Sequence, residues 1–293
     1  MTTATATTFA ARTRAAAQRN GSLLCVGLDP DVRRFPAALQ ARFEHDPAGA
    51  LAEFNRAIIG STADLVCAYK PNLGFYMAYG VPGMEALLRT RELIPAEIPL
   101  ILDAKVNDIG HTATAYAAGY FDQFGADVVT FSPYLGADSL KPFLSRRDRG
   151  VLILCRTSNP SAGDLQDLPV AQGETSGRPL PLYEAVAHQI AAWIAEFDAA
   201  GMIGAVTGAT YPEQLAVVRR ILPDAPLLIP GVGAQEGNLA ATIRAGLDAD
   251  GFGAIVNASR SVTYASAGDD YATAARAAVI ALCDEIEQAR ATR

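Results

Sequence analysis

The sequence predicts an α/β fold, a single (β/α)8 barrel spanning residues 1–293, on three observations. Eight short apolar runs recur along the chain. Most are continuously apolar rather than alternating, as parallel strands covered on both faces are. The segments between most of them carry the 3.6-residue apolar repeat of helices. Eight β-then-α units in succession describe a TIM barrel. The competing arrangement is an open doubly wound sheet, but no glycine-rich GxGxxG follows the first run. The 293 residues, half of them hydrophobic, provide an ample core at a length usual for one barrel.

The elements follow in order. Residues 1–20 contain Arg12, Arg14 and Arg19, many Thr and Ala, and no acid, a composition shared with transit peptides. The first strand begins by Leu23, which leaves little to cleave. The segment is therefore expected to be a helix capping the bottom of the barrel, or a flexible segment. The eight expected strands are 23–28, 65–69, 99–102, 127–131, 151–154, 203–207, 226–229 and 253–256. Leu51, Phe54 and Ile58 mark a helix before the second strand. Met84, Leu87 and Leu88 mark one before the third, and Leu215, Val218, Ile221 and Leu222 one before the seventh. The link after the fifth strand is long and rich in Gly, Pro, Ser and Asp before a helix at 188–197. A long polar loop at the C-terminal end of a barrel strand is a candidate lid or binding loop, and equally a variable surface excursion.

Composition excludes several classes. The net charge is −7 and there is no basic block, which argues against a nucleic-acid surface. No apolar stretch of about 18 residues is present, so no membrane span is expected. Cys25, Cys67, Cys155 and Cys283 form no CxxC pair, and three lie in apolar runs. They are expected to be buried free thiols in a reducing, cytoplasmic compartment. His45, His111 and His188 have no metal-ligand spacing. His188 is expected to be a packing residue and His111 a surface residue.

The stretch with most chemistry is PLILDAKVNDIGHTATAY at 99–116. Strand alternation places Asp103 and Lys105 on one face, and Asp108 follows where a loop can return it toward Lys105. Such a charge cluster is costly unless every member is paired, and clusters of this kind mark functional sites. A surface ion pair at a strand end fits the local pattern as well. A barrel carries its site at the C-terminal ends of its strands. Asp29 stands there after the first strand, Lys70-Pro71-Asn72 after the second, and Arg156-Thr157-Ser158-Asn159-Pro160 after the fifth. PGVGAQ, with Gln235, follows the seventh and NASRS, with Arg260, the eighth. Loops after the last two strands commonly bind phosphate. There Gly231 and Gly233 admit close backbone approach, and Arg260 can grip phosphate with two nitrogens. Together they point to a phosphorylated substrate; separately each is also an ordinary turn or surface arginine.

These residues resemble a known family. DxKxxD at Asp103, Lys105 and Asp108 is similar to the signature of the orotidine 5′-monophosphate decarboxylases. LCVGLDP at 24–30, AYKPNLGFY at 68–76, TSNP at 157–160, PGVGAQ at 230–235 and NASRS at 257–261 resemble its other segments, in the same order. LCVGLDP and the long fifth loop resemble the longer bacterial branch (type 2). The resemblance implies cofactor-free, metal-free decarboxylation of orotidine monophosphate to uridine monophosphate, the last step of de novo pyrimidine nucleotide synthesis. On this sequence it assigns Lys105 to proton delivery at C6 and Asp103 to the neighbourhood of the substrate carboxylate. Lys70 would complete the charge array and contact the ribose, and Asp29 would hold a ribose hydroxyl. Ser158 would read the pyrimidine edge, and Gln235 and Arg260 would hold the phosphate. It further implies a homodimer with shared active sites, to which the partner chain lends Asp108 and Thr112. The sequence departs from the family pattern at Ser259, where glycine is common, and at Val106-Asn107, where this branch has Arg-Gly.

Two other classes fit parts of the pattern. One is a magnesium-dependent sugar-phosphate decarboxylase or epimerase of the same superfamily. The other is a phosphate-binding barrel without catalysis, which the complete Lys70, Asp103, Lys105, Asp108 set argues against.

Overall fold

The structure is a computed structural model that describes residues 7–105, 107–171, 179–231 and 239–292. Eight parallel strands form one sheet: β1 (Leu24–Gly27), β2 (Ala68–Lys70), β3 (Ile101–Leu102), β4 (Val128–Phe131), β5 (Gly150–Arg156), β6 (Ile203–Thr207), β7 (Leu227–Pro230) and β8 (Ala254–Ala258). The order is β2-β1-β8-β7-β6-β5-β4-β3. Parallel bridges Tyr69–Leu100 and Asn72–Asp103 join the two edges, which closes the barrel. The fold class expected from the eight runs is the one observed, and nearly every strand residue is buried, as the absence of alternation requires.

The boundaries differ in an instructive way. The expected second strand at 65–69 begins only at Ala68, because residues Ala63–Leu65 form a 3-10 turn continuing the helix Pro47–Thr62. β5 runs two residues further than expected, to Arg156, and its register with β6 shifts between Leu154 and Arg156. A bulge of this kind re-aims side chains at a barrel rim. The helix after the long link is Leu182–Glu196, and His188 on it is exposed rather than packed. Leu51, Phe54 and Ile58 are buried as their spacing predicts. In the helix Gly80–Leu93 the buried face is Gly83, Ala86, Leu87 and Thr90, so Leu88 points outward.

The N-terminal helix Phe9–Asn20 is tied to the bottom of the barrel by charge and by one aromatic plug. The Thr8 hydroxyl caps it by accepting from Ala11 N–H. Arg12 pairs at 2.8 Å with Asp127, whose other oxygen accepts from the Leu100 N–H at 2.8 Å. Arg14 pairs with Asp248 at 2.6 Å and with Asp250 at 2.8 Å. Phe9 is fully buried. It sits so close to β5 that a Cβ on Gly150 would come within 2.3 Å of its ring, which is why glycine begins that strand. Phe9→Ala is expected to lower unfolding stability by about 3 kcal/mol, the usual cost of emptying a buried aromatic site. Urea denaturation measures this, and turnover of the folded variant should be unchanged because the lesion lies at the end opposite the charged residues.

Candidate active site

The C-terminal rim gathers Lys70 from the end of β2, Asp103 and Lys105 from just beyond β3, and Thr130 from β4. Asp103 is the shared partner. One carboxylate oxygen accepts from Lys70 Nζ at 2.8 Å and from Asn72 Nδ2 at 3.2 Å. The other accepts from Thr130 Oγ1 at 2.9 Å and from Lys105 Nζ. Both oxygens are thus fully engaged by charged or polar donors, the condition under which a buried carboxylate is tolerated. Asp29 stands on the other side of Lys70 and accepts from the Asn72 N–H at 3.1 Å. The resulting array alternates in sign: Asp29, Lys70, Asp103, Lys105.

The two lysines differ in surroundings. The Lys70 side chain is 5% exposed, whereas that of Lys105 is 45% exposed. Burial works to lower the Lys70 pKa, but Asp103 and Asp29 outweigh it and raise it, so this ammonium stays charged. Burial likewise works to raise the Asp103 pKa. Lys70 and Lys105 overcome that and hold the carboxyl well below the ordinary carboxylate range. Lys105 has a left-handed backbone, φ 52°, which costs a non-glycine residue about 1 kcal/mol. Its N–H donates to Thr130 Oγ1 at 3.0 Å, so one hydroxyl holds both the strained backbone of Lys105 and the carboxylate that orients its ammonium.

Beside the array opens a cavity of about 450 Å³. Lys70, Asp103, Lys105 and Thr130 line one side and Thr157, Ser158, Asn159 and Gln166 the other, while Leu154, Val206, Leu228 and Pro230 are its apolar residues. Apolar walls lower the local dielectric and strengthen every charge interaction at the mouth. Ser158 is held from behind: a Cβ on Gly208 would approach its Cβ to 2.7 Å. Gly231, φ 97°, lies near the Ser158 hydroxyl. Arg260 is exposed at the start of the short helix Arg260–Thr263. Ser259, the departure from glycine noted in the sequence, fills the space that Gly27 leaves open, where a Cβ would fall 1.8 Å from its hydroxyl.

Of the expected site residues, Lys70, Asp103, Lys105 and Ser158 meet at the cavity, and Asp29 adjoins it. Gln235 lies outside the described residues. Asp108 does not turn back to Lys105 within the chain. Asn107 Nδ2 donates to the Ser132 carbonyl at 2.6 Å, and the Asp108 carboxylate accepts from its neighbour Ile109 N–H at 2.8 Å. Within the chain, Lys70 and Lys105 both pair with Asp103, and Asp29 acts on Lys70. Thr112 is exposed on the following helix Gly110–Ala117. Sequence reasoning missed the roles of Asn72, Thr130 and Gln166. A lone threonine inside the apolar run DVVTF was the one available signal for Thr130. Among the described residues, no group of three or more His, Cys, Asp or Glu is arranged to hold a metal ion.

A parallel barrel with an alternating lysine–aspartate array at its mouth defines a class of barrel enzymes that act on charged substrates. Residues 22–278 match the model of the orotidine 5′-phosphate decarboxylase / HUMPS family, and the chain belongs to that family. The orotidine 5′-phosphate decarboxylase of Thermomicrobium roseum is 50% identical over 272 residues, 93% of this chain and 92% of that one. That of Ralstonia pickettii is 47% identical over 285 residues, 96% of this chain and 99% of its own. The solved Leishmania donovani OMP decarboxylase superposes with a TM-score of 0.79 at 40% identity, covering 95% of this chain and 97% of that one.

The Asp103 carboxyl, by this geometry, stays ionised through mild acid. Its folded pKa lies below the unfolded value of about 3.9, so its ionisation stabilises the fold above that value, and the contribution is lost as pH falls through the folded pKa. A carbon-13 titration of the Asp103 carboxyl should show its midpoint below the ordinary carboxylate value of about 3.9. A midpoint at or above the ordinary carboxylate value would contradict the pairing described.

Proposed function

We propose that this chain decarboxylates orotidine 5′-monophosphate to uridine 5′-monophosphate, the last step of de novo pyrimidine nucleotide synthesis, without a cofactor or metal. The observation that carries the reading is the half-exposed Lys105 ammonium, braced by Asp103 at the edge of a cavity of about 450 Å³. The bond from C6 to the carboxylate breaks, carbon dioxide leaves, and the electron pair stays on C6. Lys105 gives that carbon a proton and regains one from water. An ammonium aimed at C6 stabilises the developing charge more than it stabilises the bound substrate, which is what lowers a barrier.

The remaining roles are those the family resemblance assigns. Asp103 stands beside the substrate carboxylate, and Lys70 contacts the ribose while keeping the array balanced. Asp29 takes a ribose hydroxyl and Ser158 the pyrimidine edge. Gln235 and Arg260 hold the phosphate, whose remote binding energy orients the ring. The same reading covers the assembly. Asp108 and Thr112 are not among the residues that line their own cavity, and they serve the site of a second copy in a homodimer. Apolar side chains exposed on that sector support this: Phe75 and Met77 after β2, Ile109 after β3, Tyr134 and Leu135 after β4. The branch is the longer bacterial one, the chain is one barrel domain with residues 9–20 as its bottom cap, and the compartment is the cytoplasm. Four free cysteines fit a reducing setting.

The loss of orotidine monophosphate absorbance in excess chelator tests the reaction. Wild-type protein should turn over at an undiminished rate, and a magnesium requirement would favour the sugar-phosphate branch of the family. Lys105→Ala should fold and lose turnover by several orders of magnitude. The shared site has its own test. Lys105→Ala and Asp108→Ala proteins should each be nearly inactive. After subunit exchange half the dimers are mixed, and each mixed dimer has one intact site, so activity should return to about a quarter of wild type. Demonstrated exchange with no recovery would remove the shared site and leave the chemistry standing.

A further inference from the structure

The side chain of Arg156, at the end of β5, is 5% exposed, does not line the cavity, and has no part in the mechanism above. Its fork is nonetheless spent on three residues of two elements. Nε donates to Gln214 Oε1 at 2.7 Å, on the helix Pro212–Ile221 after β6. The terminal nitrogens reach Gln166 Oε1 at 3.1 Å and Asp167 Oδ2 at 3.2 Å, both in the long loop after β5. The guanidinium also lies 5.3 Å from the Tyr211 ring centroid and 5.8 Å from that of Tyr183. Only a planar group with several fixed donors can satisfy partners in these three directions.

Gln166 passes this constraint to the cavity wall. Its Oε1 also accepts from the Thr157 N–H at 2.9 Å, and its Nε2 donates to Thr157 Oγ1 at 2.8 Å. Thr157 Oγ1 in turn donates to Asn159 Oδ1 at 2.6 Å. The Arg156 carbonyl accepts from Gly208 N–H at 2.8 Å. Ser158, between Thr157 and Asn159, is thereby fixed from both sides: by this chain of side-chain hydrogen bonds and by the close approach of Gly208 behind it.

We infer that Arg156 is a positioning residue: acting through Gln166, it holds the Thr157–Ser158–Asn159 wall in the geometry that reads the base, and it ties Gln166 and Asp167 to the helix after β6. The inference rests on the orotidine monophosphate reading of the site. It assigns Arg156 to recognition of the base and not to the phosphate grip, which lies at the tops of β7 and β8.

The experiment uses Arg156→Lys, which keeps the charge and loses the fork, Gln166→Ala, and the double variant. The probes are uridine monophosphate, which carries base and phosphate, and ribose 5-phosphate, which lacks the base. Arg156→Lys should weaken uridine monophosphate binding about tenfold, the effect of losing one well-placed hydrogen bond, and raise KM, with ribose 5-phosphate affinity within about twofold of wild type. Because Arg156 acts through Gln166, adding Arg156→Lys to Gln166→Ala should cost little more than Gln166→Ala alone. A folded Arg156→Lys enzyme with unchanged nucleotide affinity overturns the assignment, as do equal losses for both probes or fully multiplicative losses in the double variant. If Arg156→Lys does not fold, Gln166→Ala alone decides: it must show the base-selective loss, and unchanged uridine monophosphate affinity overturns the proposal. Wild-type protein that neither turns over orotidine monophosphate nor binds uridine monophosphate would instead overturn the functional reading itself.

Discussion

The Asp103 carboxylate is the constraint on which the rest of the site depends. It is nearly buried, and it is the ion-pair partner of both Lys70 and Lys105. An unpaired charge at this depth costs several kcal/mol, so the three groups stand or fall together. Asp103 is also bridged to Asn72 at the edge where β2 meets β3. The residue that orders the charges therefore also sits at the seam that closes the barrel, and strand pairing and site geometry are set by the same few atoms.

That arrangement places two lysines of the same chemistry in different surroundings, which suit the different tasks proposed for them. Lys70 is enclosed, flanked by Asp103 and Asp29, and has little freedom to move. Lys105 reaches Asp103 from a left-handed backbone and keeps nearly half its side chain open to the cavity. A rigid ammonium suits electrostatic balance, whereas a partly open one suits proton delivery. The strain at Lys105 is offset by the Thr130 hydroxyl, which binds its N–H and Asp103 at once. A strained residue at a catalytic rim persists only where surrounding contacts over-determine it, and here those contacts can be named.

The barrel was legible in the sequence because strands buried on both faces write themselves as apolar runs, and the core helices keep their 3.6-residue period. Boundaries were less legible where a turn continued a helix, as at residues 63–65, or where a bulge carried β5 on to Arg156. The charged members of the site were legible because a lysine or aspartate at the end of an apolar run is conspicuous. Asn72, Thr130 and Gln166 were not, since neutral polar residues at strand ends are common and their meaning lies in partners distant in sequence. The partner of Asp108 was not legible for a related reason. Sequence spacing gives the reach of a loop but not its direction.

The proposed shared site would tie the chemistry to the assembly. The charged side chains lining the cavity are two ammoniums and one carboxylate, Lys70, Lys105 and Asp103, and Asp29 acts on Lys70 from outside that lining. A substrate bearing a carboxylate and a phosphate is drawn to that excess of positive charge, but a carboxylate that must leave as neutral carbon dioxide also has to be displaced from it. A further acidic group arriving from a second copy would restore the alternation beyond Lys105 and keep its ammonium from closing on the substrate carboxylate as a simple ion pair. The apolar side chains exposed along the same sector, Phe75, Met77, Ile109, Tyr134 and Leu135, give such a copy a surface to bury. In the proposed dimer, hydrophobic association and charge balance thus work at one place, and folding of the β2–β4 rim prepares both.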